Sequence, residues 1–119
     1  MKQVNHIKIK KPLSVNELVN QMTSTGVLGA GRLGKAVNIC EEMIKDKSCK
    51  VFLGFAGPLV PGGMREIIID IIENRWVDAV VTTGATLTHD LGEALGYRHF
   101  QGSADADDAE LHKKGFDRV

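Results

Sequence analysis

The sequence predicts an α/β fold, a parallel sheet flanked by helices. Three observations carry this expectation. Residues 51–55 (Val-Phe-Leu-Gly-Phe) form an unbroken apolar run, and 77–83 (Val-Asp-Ala-Val-Val-Thr-Thr) is dominated by another. Runs without alternation suit strands covered on both faces. Between them Met64, Ile67, Ile68, Ile71 and Ile72 recur at helical spacing, with Arg65, Glu66, Asp70 and Glu73 facing out. Strand, helix and strand in so short a stretch make a βαβ unit, parallel and right-handed by the usual crossover rule.

A chain of 119 residues suits one domain. Hydrophobic residues make up 43% and charged residues 25%, the balance of a soluble globular protein. The zero net charge argues against a globally basic nucleic-acid binder, and 5% aromatics leaves little to stack on single strands. The zero conceals an asymmetry: residues 1–50 hold nine Lys/Arg against four Asp/Glu, and residues 51–119 hold six against eleven. Such a dipolar chain is suited to contact with oppositely charged surfaces. No apolar run approaches the roughly 18–20 residues of a membrane span. The start, Met1-Lys2-Gln3-Val4-Asn5-His6, lacks the apolar core of a signal peptide. Cys40 and Cys49 are too few for a disulfide framework or a cysteine zinc site. A reducing cytoplasm is therefore the expected location, with no membrane, nucleic-acid or metal partner.

In chain order, residues 1–13 carry Lys2, Lys8, Lys10 and Lys11 and no acid, which reads as a basic arm or an edge strand with Ile7 and Ile9 alternating. Ser14-Val15-Asn16-Glu17 is a capping-box pattern. Val15, Leu18, Val19 and Met22 continue it as a helix that ends at Thr25-Gly26. A second helix is expected from about residue 31 to 47, with Leu33, Val37, Cys40 or Met43, and Ile44 on its apolar stripe. After the first strand, the glycines and prolines of 56–63 predict a loop. After the second strand, Gly84-Ala85 predicts a turn. A helix capped by Thr86 or Thr88 then runs to Leu95 and stops at Gly96. Asp105, Asp107 and Asp108 supply an acidic first turn for a last helix through Glu110, His112, Lys113 and Lys114. No internal repeat is legible.

Three motifs bear on chemistry. Gly29-Ala30-Gly31-Arg32-Leu33-Gly34 spells a dinucleotide-binding G-x-G-x-x-G. That motif needs a strand before it and an acid about 20 residues after it. Only Val27-Leu28 separate it from a helix end, and no carboxylate falls near 54–56. Helix packing is the expected role, with a small nucleotide-binding module as the alternative. The loop containing Gly57, Pro58, Leu59, Val60, Pro61 and Gly62 follows a strand and precedes a helix, which is where ligands sit in open parallel sheets; a rigid turn is the plainer reading. Thr82, Thr83, Gly84, Ala85 and Thr86 end the next strand on the same edge. His89-Asp90 lies one turn further on, and His89 is either an acid–base or substrate-contacting group, or a surface histidine. His99 and His112 have no metal-type spacing to it. No Ser-His-Asp or Cys-His arrangement is legible, so the catalytic residues stay unassigned.

The order of these segments resembles the deoxyhypusine synthase family. The resemblance is carried by 51–55, by the Gly-rich loop into Gly63-Met64-Arg65-Glu66-Ile67-Ile68, by Trp76-Val77-Asp78-Ala79-Val80-Val81-Thr82-Thr83-Gly84, and by Asp90. Thr25-Gly26 and Leu33-Gly34-Lys35-Ala36 add to it upstream, so that it spans roughly residues 14–118.

The resemblance implies a Rossmann-like parallel sheet, here a partial domain over 14–119 preceded by the basic arm at 1–13. It implies an enzyme that uses NAD to oxidise spermidine and moves its aminobutyl group, through a lysine imine, to a lysine of the translation factor that becomes hypusine-modified. It also implies tetramers with active sites at subunit interfaces. By resemblance, NAD contacts fall on Gly57, Pro58, Leu59, Val60, Pro61 and Gly62 and on Thr83, Gly84 and Ala85, and spermidine contacts on Thr88 and His89. The family's Ser/Asn-rich first loop is replaced by Gly57, Pro58 and Pro61, and its acids by Thr88 and His89. Family members are longer and carry the catalytic lysine in the later half. A fragment, a truncated product or half of a split enzyme is therefore expected. The alternatives are an inactive homologue that regulates a full-length partner in a hetero-oligomer, and a homospermidine synthase-like polyamine transferase.

Overall fold

The computed structural model describes residues 2–119. They form two compact units, residues 2–51 and 52–119. Among the described residues no helix is long and apolar enough to cross a membrane.

The first unit is a helical hairpin of α1 (Val15–Thr25) and α2 (Leu28–Lys45). The arm before it forms no strand: residues 2–10 have no regular structure. It is fixed at one point by the Lys8 N–H, which donates to Gln21 Oε1 at 2.6 Å. The capping box forms as the sequence predicts. The Glu17 N–H donates to Ser14 Oγ at 3.2 Å, and the Ser14 N–H donates to Glu17 Oε2 at 2.7 Å. Gly26 closes the helix at φ 68°, a left-handed conformation that favours glycine.

Replacing Ser14 with alanine is expected to cost about 1 kcal/mol of local helix stability. Acid acts on the same box. Hydrogen bonds from the Ser14 backbone, then from its hydroxyl, hold the Glu17 carboxyl below its ordinary 4.5. A carboxyl depressed in the folded state adds stability above its unfolded pKa, and that stability is lost as pH falls through the folded value. Protection of the Glu17 and Leu18 amides against hydrogen exchange should therefore decline on the acid side of 4.5. Constant protection there would contradict it.

Helix α2 starts three residues earlier than the sequence suggests and ends two earlier, at Lys45. Its expected stripe is also displaced. Leu33, Val37, Cys40 and Ile44 are exposed and only Met43 of the stripe is half-buried, while Ala30, Gly31, Gly34 and Asn38 turn inward. Gly34 is the buried residue of the helix. A Cβ on it would stand 2.2 Å from Thr23 Oγ1 and 2.6 Å from the Thr23 backbone. The two backbones approach so closely that small residues, not large apolar ones, form the seam. The Gly29–Gly34 motif thus lies inside a helix, preceded by a helix rather than a strand, and serves packing.

The second unit holds the βαβ arrangement. Strands β1 (Phe52–Gly54) and β2 (Ala79–Val81) pair in parallel, Phe52 opposite Ala79 and Gly54 opposite Val81. Helix α3 (Arg65–Glu73) connects them, and α4 (Gly84–Ala94) and α5 (Asp108–Lys113) follow. Asp107 caps α5 by accepting from the Ala109 and Glu110 N–H groups.

The expected burial of the strands on both faces does not occur: Phe52 and Val81 are 68% and 62% exposed. Two strands with no others beside them leave much of their apolar surface uncovered. Of the hydrophobic residues described, Val60 alone is buried, at 4% exposure. The 56–63 loop is more ordered than its composition suggests. Gly57–Leu59 forms a tight helical turn and Val60–Met64 a wider one, broken at Gly63 where φ is 85°. Pro58 and Pro61 sit at the starts of these turns, where a missing N–H costs nothing. Arg65, expected to face out, folds back against α4.

Candidate functional site

The parallel register brings the C-terminal ends of both strands to one edge. There the Phe55 N–H donates to the Val81 carbonyl at 3.1 Å, and the Thr82 hydroxyl donates to the Phe55 carbonyl at 2.8 Å. Thr82 Oγ1 also lies 2.6 Å from Thr86 Oγ1. Since Thr82 has given its proton to Phe55, Thr86 is the donor between the two hydroxyls. Thr86 is buried inside α4 rather than capping it. Thr88 does not cap either: its hydroxyl donates back to the Gly84 carbonyl at 3.0 Å. Gly84-Ala85 is the first turn of α4, with Thr83 as the extended residue before it.

Replacing Thr82 with valine keeps the shape and removes both bonds. It is expected to destabilise the chain by about 1–3 kcal/mol, because Thr86 and the Phe55 carbonyl lose a partner in a partly buried place. Chemical denaturation of the two proteins checks this; equal midpoints would show that the hydroxyl pair does not tie α4 to the strand ends.

The two nominated loops meet at this edge. Gly57 is buried, and a Cβ there would lie 2.8 Å from Ala85 Cβ and 3.5 Å from the Thr86 nitrogen. Gly62 and Gly84, by contrast, have nothing within 4 Å of an added Cβ. Their backbones are open to approach.

A cavity of about 660 Å³ lies beside the first loop. Pro58, Pro61 and Gly62 line one side, and residues 98–103 with Leu111 and the segment 116–119 line the other. Leu59, Val60, Thr83, Gly84, Ala85, Thr88 and His89 are not in its wall. Phe100 and Phe116 meet edge to face at a centroid distance of 5.3 Å. Arg98 donates to the Glu93 and Tyr97 carbonyls. Arg118 donates to the Ser103 and Ala106 carbonyls and pairs with Asp108.

Sequence reasoning missed a polar chain that reaches this wall at His99. Arg65 Nε donates to Asp90 Oδ1 at 2.7 Å and lies 4.0 Å from Glu93 Oε2. The Asp90 hydrogen bond raises the Arg65 pKa further, so its charge is permanent. Glu93 Oε1 lies 2.7 Å from His99 Nδ1. His99 Nε2 in turn lies 3.0 Å from His89 Nδ1. His89 and Glu93 share a helix face at i, i+4, a spacing visible in the sequence; His99 returns to them after the turn at Gly96, whose φ of 99° suits glycine. Among the described residues no group of three His, Cys, Asp or Glu side chains is arranged to hold a metal.

Residues 17–119 match the family profile of deoxyhypusine synthase. The "Probable deoxyhypusine synthase" of Methanothermobacter thermautotrophicus is 46% identical over 116 residues, 98% of this chain and 38% of that protein. "Probable deoxyhypusine synthase 2" of Archaeoglobus fulgidus is 44% identical over 98 residues, 82% of this chain and 33% of that protein. A crystal structure from Entamoeba histolytica, of a protein named as a candidate deoxyhypusine synthase, superposes with a TM-score of 0.57 at 23% identity. It covers 93% of this chain and 44% of that one, and at that identity it speaks for the fold alone. The chain thus spans 38% and 33% of the length of these two curated relatives.

Proposed function

We propose a function on one premise: the chain belongs to the deoxyhypusine synthase family. It contributes the nucleotide-side edge of an NAD-dependent enzyme that transfers the aminobutyl group of spermidine to a lysine of an acceptor translation factor. Residues 14–119 form part of a Rossmann-type domain with the basic arm 1–13 ahead of it. The lysine nucleophile and the rest of the sheet come from sequence outside these residues, within a cytoplasmic tetramer.

The observation that carries this reading is the meeting of the two strand-end loops at Gly57 and Ala85. The residues present fit a dinucleotide. Gly62 and Gly84 leave open space at their backbones, and the first amides of α4, at Gly84 and Ala85, lie at a helix start that favours phosphate. Backbone groups of Gly62, Gly84 and Ala85, with the Thr83 hydroxyl, would hold it; Gly57, Pro58, Leu59, Val60 and Pro61 shape the loop. Bound there, NAD supplies the hydride acceptor for the amine. Thr88 and His89, one turn further along α4, would face the substrate.

The test is a calorimetric NAD titration of the chain and of Gly84→Val. The added side chain meets open space, so stability should be retained while affinity drops by about tenfold or more, the equivalent of roughly 1.4 kcal/mol. Equal affinities would remove the edge from consideration. A second reading, an inactive subunit that regulates a full-length partner, is favoured by the few polar side chains of the first loop, where Gly57, Pro58 and Pro61 stand. It predicts no NAD binding by either protein.

A further inference from the structure

We propose that His89 is an amine-facing proton acceptor whose free nitrogen is set by Glu93 acting through His99. The inference rests on the amine-substrate reading above and deepens it. Glu93 and His99 are the positioning residues.

The order of protons follows from the contacts. A carboxylate only accepts, so the His99 nitrogen facing Glu93 Oε1 at 2.7 Å, Nδ1, must carry a proton. Neutral His99 then has its lone pair on Nε2. That atom lies 3.0 Å from His89 Nδ1, so His89 must donate from Nδ1. The His89 lone pair is thereby placed on Nε2, which has no hydrogen bond among the described residues. The reverse order would set a bare His99 nitrogen against a carboxylate, two acceptors face to face. Arg65 Nε, 4.0 Å from Glu93 Oε2, holds the other end. The arrangement repeats the logic by which a carboxylate fixes the tautomer of a catalytic imidazole. The Glu93 and His99 side chains are only 23% and 22% exposed, which limits competition from water.

The step is a proton transfer. The N–H bond of a substrate ammonium breaks, its electron pair stays on nitrogen, and the proton bonds to His89 Nε2. The products are a neutral amine and an imidazolium that keeps its Nδ1–H bond to His99. A neutral amine is what an oxidation at the adjacent carbon requires. A base that begins neutral accepts the proton without holding the ammonium by charge.

The experiment is long-range proton–nitrogen correlation NMR on the chain labelled with 15N-histidine, at mildly alkaline pH. His89 and His99 are expected with nearly all their protons on Nδ1. His6 serves as the reference for an unconstrained ring, in which Nε2–H predominates. In Glu93→Leu, His89 should fall back toward the His6 pattern. In His99→Gln, whose side-chain oxygen can accept from His89 Nδ1, the Nδ1–H form should be kept. A proton on Nε2 of His89 in the unaltered chain overturns the relay, and that measurement needs no variant to fold. Spermidine is then titrated. A shift of the His89 Nε2 resonance toward the imidazolium position supports the assignment. A fixed relay that spermidine leaves unmoved overturns the amine reading of the site while leaving the relay standing.

Discussion

Alanine at Gly34 is expected to destabilise the helical hairpin, although alanine is the better helix former. In an open helix interior the exchange gains about 0.8–1.0 kcal/mol. Here the new methyl carbon would stand 2.2 Å from Thr23 Oγ1 and 2.6 Å from the Thr23 backbone. Rotation can clear a hydroxyl, but a backbone contact forces the helices apart, and overpacking of that kind costs about 1–3 kcal/mol. The collision therefore outweighs the propensity. Gly31 should behave similarly, because its Cβ would lie 2.4 Å from the Gly26 carbonyl carbon. Gly29 is the control. It belongs to the same G-x-G-x-x-G and has nothing within 4 Å, so Gly29→Ala should be neutral or stabilising. Urea unfolding followed by circular dichroism gives the signs directly. A loss at Gly34 with none at Gly29 identifies a packing seam. Equal stability accompanied by a common loss of nucleotide binding across the motif would mark a phosphate cradle instead.

What the sequence made legible, and what it did not, follows the range of the interactions. The Ser14–Glu17 box and the Gly26 and Gly96 stops depend on groups a few residues apart, and they stand where the sequence puts them. The parallel pairing of 52–54 with 79–81 was readable because unbroken apolar runs around an amphipathic helix permit few other arrangements. The seam of α2 was readable in part: packing is the role its sequence suggests for the Gly29–Gly34 glycines, but the apolar stripe was misplaced. Leu33, Val37 and Ile44 make the stronger hydrophobic stripe, yet backbone proximity selects Ala30, Gly31 and Gly34. The 56–63 segment looked like a loop because Gly and Pro oppose helix interiors, but both prolines fall at turn starts. In the candidate site, the meeting of the loops at Gly57 and Ala85 follows from strand order. The His99–His89 contact does not, since it depends on how the chain turns after Gly96. Arg65 was misplaced outward for a related reason: helical spacing gives a face, not the neighbour that Asp90 provides.

The last prediction concerns the chain by itself. Given NAD, spermidine and an acceptor protein, it is expected to transfer no labelled aminobutyl group above a no-protein blank, and to self-associate. The first half follows from chemistry. Imine transfer needs a lysine of lowered pKa in a closed, mostly dry pocket. The lysines of the second unit are Lys113 and Lys114, at the end of α5 and not on the strand-end edge formed by Phe55, Gly57, Thr82 and Ala85. The chain also spans only 38% of its Methanothermobacter relative, which leaves most of that protein's length to supply such a residue. The second half follows from surface. Phe52 and Val81 on the strands are 68% and 62% exposed, and Leu87 and Leu91 of α4 with Leu95 at its C-cap form an exposed row at i, i+4, i+8. Apolar area left in water costs roughly 25 cal/mol per Å² relative to burial, so these faces gain by covering one another. Light scattering run beside the transfer assay reads both halves. Transfer above the blank would place a working nucleophile among these lysines and defeat the first. A monodisperse monomer at all concentrations would defeat the second. Activity regained on adding the remaining segment of a family member as a separate polypeptide, with loss of the self-associated species, would show that the strand and α4 faces are covered by that segment.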